Sequence, residues 1–288
     1  MTGLTYVPAD RYSLDTLTRA FNRAFIGYAI PLTQTPATLA AMIATNDVRL
    51  ADSLVALDED GDPVGINLLA VRPPRGWIAG MGLDPAWRGQ RHGTELLGAL
   101  IAQARARGLS QIQLEVLEDN LPARKLYRAF GFVEVRPLLV FNGPLNGRGQ
   151  LSLPHEPFTL QEADVNDVLA HFAELHAVHP SWQRERPSLA HLAPRLLAHG
   201  RYTGEVLAAY LAYTRSNAGL AIMDAGAAAS TERAATHLIH LLLELTGGVG
   251  HVVRAINVPP GDPLGAALQT LGCPIAMRQY EMRLDLPR

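Results

Sequence analysis

The chain has 288 residues, 48% of them hydrophobic and 18% charged, with 25 basic against 27 acidic side chains and a formal net charge of −2. That composition supports sizeable cores in about two domains and excludes a disordered or collagen-like chain. It supplies no field for indiscriminate attraction to nucleic acid or acidic membranes, and a single cysteine, Cys273, rules out an intrachain disulfide or a cysteine-cluster zinc site.

The N-terminal stretch is polar, with Asp10, Arg11, Asp15 and Arg19, and has no apolar core of a secretory signal. Apolar spacing predicts a helix over Leu14–Phe25, then a loop with Gly27, Pro31 and Pro36, and a helix near Ala37–Ile43. Strands are predicted at Ser53–Leu57, Val64–Val71 and Trp77–Leu83, with a turn at Glu59–Asp62. A long helix follows, with Leu96, Leu97, Leu100, Ile101 and Ala104 on one face and Gly108 as its stop. Ile112, Leu114 and Val116 alternate as a strand. Asn120 caps a short helix with Pro122 in its first turn, Gly131 ends it, and Phe132–Phe141 is a strand.

Between Phe141 and Pro157 the chain reads FNGPLNGRGQLSLPHEP, where no hydrophobic period survives. We therefore expect a domain over 1–143, a linker over 144–157 and a second domain over 158–288. The second half repeats the order of the first. It reads as helices at Asp164–Val178 and Leu189–His199, strands at Val206–Thr214 and Leu220–Ala225, and a long helix at Arg233–Thr246. A strand at Val252–Val258, a short helix at Leu264–Leu271 and a strand at Gln279–Leu286 complete it. Ile256-Asn257-Val258 stands 142 positions after Leu114-Glu115-Val116, and Gly272 stands 141 after Gly131. The period is too long for a solenoid and indicates a duplicated domain. The longest apolar stretch, Leu238–Leu245, is interrupted by His240 and Glu244 and is too short to span a bilayer. A cytoplasmic protein without membrane or nucleic-acid partners is expected; the oligomeric state is open.

The most informative segment runs from Gly82 to Thr94. A strand ends at Leu83, the chain turns, and the long helix begins near Gly93. Successive backbone N–H groups in such a turn make a concave anion site, reinforced by the helix dipole. Gly89 and Gly93 allow close approach, and Arg88, Arg91 and His92 supply donors beside it. A pyrophosphate is the expected ligand. Taken on glycine spacing alone, an ordinary surface turn is an equal alternative.

The first half also resembles the GNAT superfamily of N-acetyltransferases. It has Leu83-Asp84-Pro85, Arg88-Gly89 and Gly93, then Leu114-Glu115-Val116, Asn120, Ala123, Leu126-Tyr127 and Gly131-Phe132 at the family's separation. Arg91 stands where the family usually has its middle glycine. The resemblance implies an α/β (α+β) fold of two tandem GNAT-like domains, each a mixed, mostly antiparallel twisted sheet flanked by helices. It implies acetyl-CoA as co-substrate, an amine as acceptor and no metal. The implied donor-binding set is Met81, Gly82, Leu83, Arg88, Gly89, Gln90, Arg91, His92, Gly93, Thr94, Asn120, Ala123 and Tyr127. Of these the Leu83 amide would polarise the thioester carbonyl and Tyr127 would protonate the departing sulfur.

The family's commonest base, a glutamate on the strand before the turn, is missing from Trp77–Leu83. Glu115 is the next candidate. The string LEVLEDNLPARKLY resembles the ribosomal-protein N-terminal alanine acetyltransferases, whose matching Glu and Tyr act as base and acid. A solvated strand glutamate, a water chain ending on Asp84, or the amine's own free fraction stand as alternatives. The acceptor pocket is expected among the Tyr28–Thr33 loop, the strands near Trp77 and Glu115, and Phe141. The second copy lacks the glycine motif at Ala225–Arg233, carries Glu232 there, and has Asn257 in place of Glu115 and Leu268 and Gln269 near the place of Tyr127. It reads as a degenerate copy. His171, His176, His179, His237 and His240 read as helix surface, and Cys273 as a packing thiol. A non-catalytic acyl-CoA sensor is the alternative function.

Overall fold

The computed structural model describes residues 3–30, 32–146, 158–227, 231–247 and 250–287, with the backbone alone at 231–232. Most of the expected linker, 147–157, lies outside them, as do residues 228–230 of the second turn. Packing divides the chain into two compact units, 1–135 with 281–288, and 136–280.

The first unit begins with β1 (Thr5–Pro8), α1 (Leu14–Ala24), α2 (Pro36–Thr45), β2 (Leu54–Leu57), β3 (Pro63–Arg72) and β4 (Arg75–Leu83). It continues with α3 (His92–Ala106), β5 (Gln111–Leu117) and α4 (Leu121–Ala129). Strands β1 to β4 form an antiparallel meander. Polar side chains start the helices: Ser13 accepts from the Thr16 N–H, Thr35 and Thr38 form a reciprocal capping box, and Asn120 accepts from the Ala123 N–H. Gly108 and Gly131, both at positive φ, end α3 and α4. Leu17, Ala20 and Phe21 of α1, Ile66 and Leu68 of β3, and Leu96, Leu97 and Leu100 of α3 are buried. Each of the leucine, isoleucine and phenylalanine side chains among them contributes roughly 1.5–3 kcal/mol.

Two features of β4 shape the site. It pairs with β5 in parallel only at Arg75–Gln111, Gly76–Ile112 and Trp77–Gln113, after which the strands part. A bulge falls at Ala79, because Leu69 and Leu68 of β3 face Ile78 and Gly80.

The strand after α4 is β6 (Val133–Pro144), whose residues from Arg136 onward belong to the second unit. That unit also holds β7 (Thr159–Ala163), α5 (Val165–Ala170), α6 (Phe172–Leu175), α7 (Arg186–Leu192), β8 (Leu197–Thr203), β9 (Val206–Ser216) and β10 (Gly219–Ala227). Then come α8 (Thr231–Thr246), β11 (Val252–Val258), α9 (Pro263–Thr270) and β12 (Ile275–Asp285). The last residues of β12, from Glu281, belong to the first unit, where the Leu286 N–H donates to the Ser110 carbonyl at 2.7 Å. In the second unit β7 to β10 are antiparallel, β10 and β11 are parallel, and β11 pairs antiparallel with residues 139–144 of β6. The chain thus has the tandem mixed α/β architecture expected, but the final strand of each half is divided between units.

Three expectations change in detail. Strands β1, β7 and β8 escaped the hydrophobic pattern. The helix expected over Leu189–His199 stops at Leu192, since Pro194 cannot extend it, and Leu197–His199 open strand β8 instead. The helix expected over Asp164–Val178 breaks at His171, and His176 has left the helical path. Among the described residues no helix is long and apolar enough to cross a membrane.

Candidate active site

The site grows from the parting of β4 and β5. The Asp84 N–H donates to the Val64 carbonyl of β3 at 2.7 Å. In an antiparallel ladder the adjacent residue turns its backbone groups to the opposite edge, so the Leu83 N–H faces the opening toward β5. On the other side of β4, Gly82 has no room for a side chain and Gly80 has little. A Cβ on Gly82 would lie 2.7 Å from the Ala24 carbonyl of α1, and one on Gly80 would lie 3.2 Å from the Phe21 ring. Phe21 and Phe25 stack along this wall with ring centroids 4.5 Å apart, and Tyr28 meets Phe25 edge-on at 5.4 Å.

Past Leu83, Asp84 caps a short turn at Pro85–Trp87 by accepting from the Ala86 N–H. Burial raises its pKa, but the Ala86 N–H and the Arg23 guanidinium, 2.9 Å away, hold it below its ordinary value. Gly89 and Arg91 then take the left-handed conformation, φ 76° and 72°, and α3 starts at His92. This geometry leaves the N–H groups of Gly89, Gln90, Arg91, His92 and Gly93 with no acceptor among the described residues. Consecutive unpaired donors at a helix start form a cradle for a pyrophosphate. The residues of the turn thus fit a bound diphosphate group.

The side chains depart from expectation. Arg88 does not reach into the cradle. Its Nε donates to the Leu83 carbonyl at 2.8 Å, and one Nη donates to Ala24 and Ile26 carbonyls at 3.1 and 2.8 Å. It fastens the turn to β4 and to the end of α1. His92, unlike the exposed Arg88, is buried, with its ring 5.5 Å from that of Trp87 and its Nδ1 3.3 Å from Glu95. Tyr6 donates to the same carboxylate at 2.8 Å. Of the expected cationic donors, only Arg91 is exposed and without a partner among the described residues. Gln90 donates to the Ala86 carbonyl at 2.8 Å.

Tyr127 is buried on α4, with its ring 5.6 Å from Phe132. Burial, and then the neighbouring Tyr28 phenol, push its pKa well above 10. A phenol so placed stays protonated at neutral pH. Tyr28 is raised as well by burial, against a lowering contact from the Asn120 side chain. Tyr28, Asn120 and Tyr127 therefore converge, a grouping that neither motif announces. Asn120 commits its Oδ1 to the Ala123 N–H at 3.2 Å, capping α4. Glu115 is half-buried on β5, and the Trp77 indole N–H donates to its Oε2 at 2.6 Å across the gap.

Phe141, expected as a pocket wall, is fully buried in the core of the second unit beside Leu145 and Tyr213. Cys273 is buried there as well; burial pushes its thiol up to about 11, and its Sγ lies 3.7 Å from the Gly143 carbonyl. The helix-surface reading fails for His176, which is buried against Asp224. His171 is exposed and lies 3.2 Å from Glu174. Among the described residues no group of three or more His, Cys, Asp or Glu is arranged to hold a metal ion.

The second unit has the same opening in a different state. β10 and β11 pair only from Leu220–Val253 to Ile222–Ala255, and β10 bulges at Met223. Here residues 181–184 bridge the parted strands. Ser181 Oγ donates to the Asn257 carbonyl, Asn257 Nδ2 donates to Gln183, and Arg184 reaches both Asp224 and Asp262. Trp182, in the middle of the bridge, is completely buried.

Residues 16–132 match the model of the acetyltransferase (GNAT) family. The chain is similar to the [ribosomal protein bS18]-alanine N-acetyltransferase of Haemophilus ducreyi, 44% identical over 55 residues, which are 19% of this chain and 38% of the relative. It is also similar to the mycothiol acetyltransferase of Clavibacter michiganensis, 37% identical over 79 residues, which are 27% of this chain and 26% of the relative. The matches thus span well under half of these relatives' lengths. Over its whole length the chain shares the fold of a tandem GNAT protein from the clavulanic acid biosynthesis pathway, with TM-score 0.69, 16% identity and coverage of 99% and 100%. A GCN5-related N-acetyltransferase from Sphaerobacter thermophilus gives TM-score 0.68 at 15% identity, with coverage of 98% and 95%.

Proposed function

With residues 16–132 forming a domain of the acetyltransferase (GNAT) family, we propose that this protein transfers an acetyl group from acetyl-CoA directly to an amine of a small molecule. One observation carries the reading. The gap between β4 and β5 leads into a row of unpaired backbone N–H groups at Gly89–Gly93. A thioester chain laid in the gap would place its diphosphate on that row. Among the described residues no activated nucleophile lies beside the gap, which favours attack by the acceptor itself.

In this mechanism Met81, Gly82 and Leu83 line the donor arm, and the Leu83 N–H receives the developing oxyanion. The amine must lose a proton to attack, and Glu115 takes it. The nitrogen bonds to the carbonyl carbon, the carbon–sulfur bond breaks, and Tyr127 gives its proton to the departing thiolate. Asn120 and Ala123, at the start of α4, sit beside the arm and hold Tyr127 in place. The balanced charge of the chain favours a small acceptor over a nucleic-acid-bound or strongly charged one.

The test is release of free thiol from acetyl-CoA across a panel of amines, with Tyr127→Phe beside the wild type. Turnover that falls by about 100-fold in the variant, far more than its acetyl-CoA affinity, is expected. Turnover equal in both removes Tyr127 from the mechanism. Tight coenzyme binding without turnover for any amine replaces the enzyme by an acyl-CoA sensor.

A further inference from the structure

Trp77 and Glu115 stand on different strands, at the point where the β4–β5 ladder ends. The last paired position is Trp77 opposite Gln113, and Glu115 is two residues farther along β5. Both Gln113 and Glu115 leave β5 on the side opposite Leu114 and Val116, which are buried. The backbone no longer joins the strands at Glu115, but the side chains do. The Trp77 Nε1–H donates to Glu115 Oε2 at 2.6 Å. The indole is 4% exposed, so its ring is held by packing while its one polar atom points at the carboxylate. An indole N–H can only donate, and an ionised carboxylate can only accept. The contact therefore has one polarity.

We infer that Trp77 is a positioning residue that fixes the Glu115 carboxylate at the mouth of the β4–β5 gap. The inference rests on the proposed role of Glu115 as the base. It goes beyond that role by explaining how a half-buried glutamate on a strand keeps one orientation. A glutamate has three rotatable bonds, and an unanchored one samples orientations that face solvent. A rigid donor on the neighbouring strand removes that freedom before the substrates arrive. It also explains how the site functions with no acid on β4. The strand that usually carries the carboxylate in the family here carries the group that aims one.

Two measurements test the idea in the full-length protein. The first does not use activity. The protein has three tryptophans, so its proton–nitrogen NMR spectrum contains three indole N–H resonances. Trp77→Phe assigns one of them. That resonance should lie downfield in the wild type and move upfield in Glu115→Ala, while the other two stay in place. A Trp77 resonance indifferent to Glu115→Ala overturns the inference, whatever the activity. This arm survives even if Trp77→Phe folds poorly, because the resonance can then be assigned sequentially through the backbone of the wild-type protein.

The second measurement is kinetic, with the acceptor amine giving the fastest thiol release. Trp77→Phe is expected to lower kcat roughly 10- to 100-fold, with the KM for acetyl-CoA within about twofold of wild type. In the Glu115→Gln background the same change should cost nothing further, since there is no base left to aim. Losses that multiply, or a kcat that does not change, overturn the positioning role. A shifted resonance with no turnover on any amine overturns acetyl transfer, and with it the catalytic meaning of the contact. That result is distinct from a resonance that never responds.

Discussion

His176 presents both ring nitrogens to acceptors: Nδ1 lies 2.8 Å from the Phe172 carbonyl and Nε2 lies 3.3 Å from the Asp224 carboxylate. Only the imidazolium can donate from both. Asp224, completely buried, also receives the Tyr210 hydroxyl and Arg184, and Arg184 pairs with Asp262. The second unit therefore encloses two cations and two anions where the first has an open gap.

This arrangement makes stability depend on pH. Burial, the largest single cause, lowers the His176 pKa, but the charge and hydrogen bond of Asp224 together with the Phe172 carbonyl outweigh it, so the net shift from 6.5 is upward; Arg184 opposes weakly. A raised folded-state value means that stabilisation is complete below about 6.5 and is lost as pH rises through the folded value. Thermal midpoints measured from pH 6 to 9 should fall more steeply for the wild type than for His176→Gln. Parallel curves would show that His176 is neutral in the fold.

Removing the shared anion should be costly. Asp224→Ala leaves two buried cations with one carboxylate, which typically costs about 3–5 kcal/mol. Urea denaturation checks this, and a loss below about 1 kcal/mol would mean that the cluster is well hydrated.

Arg91 occupies a left-handed position at the start of α3. For a residue with a Cβ this conformation costs roughly 1–2 kcal/mol. Arg91→Gly and Arg91→Ala both remove the guanidinium, but only glycine removes the strain. The glycine variant should be the more stable by about 1 kcal/mol, read from denaturation midpoints. Equal midpoints would show a relaxed turn.

Arg88 holds three carbonyls, in β4 and at the end of α1. Its replacement by lysine keeps the charge but cannot reproduce the fork. We expect Arg88→Lys to lose about 2 kcal/mol of stability and to weaken coenzyme binding without changing its salt dependence. Arg88→Gln, which removes the charge, should likewise leave the salt dependence unchanged; a flattened dependence in that variant would mean that Arg88 touches the phosphates.

Much of this was legible in the chain itself. The strand–turn–helix segment at Gly82–Thr94 and the cap at Asn120 are local patterns, and local hydrogen bonding dictates their shape. The destination of a long side chain is another matter. Arg88 looks like a phosphate donor in the sequence, but carbonyls sixty residues away claim it. The Trp77–Glu115 contact pairs residues on strands that share no continuous ladder there, so no spacing rule reveals it. His176 resembled a helix-surface histidine because its partner, Asp224, lies on a strand 48 positions later. Short strands such as Thr5–Pro8 and Thr159–Ala163 carry too few alternations to show a period.

The sorting of the two terminal strand segments has a consequence for heredity. Residues 281–288 lie in the same compact body as residues 1–135. A gene cut after codon 143 would encode a half deprived of those residues, and the other fragment would lack residues 136–143 of its own body. Neither fragment would carry the whole of its own compact body.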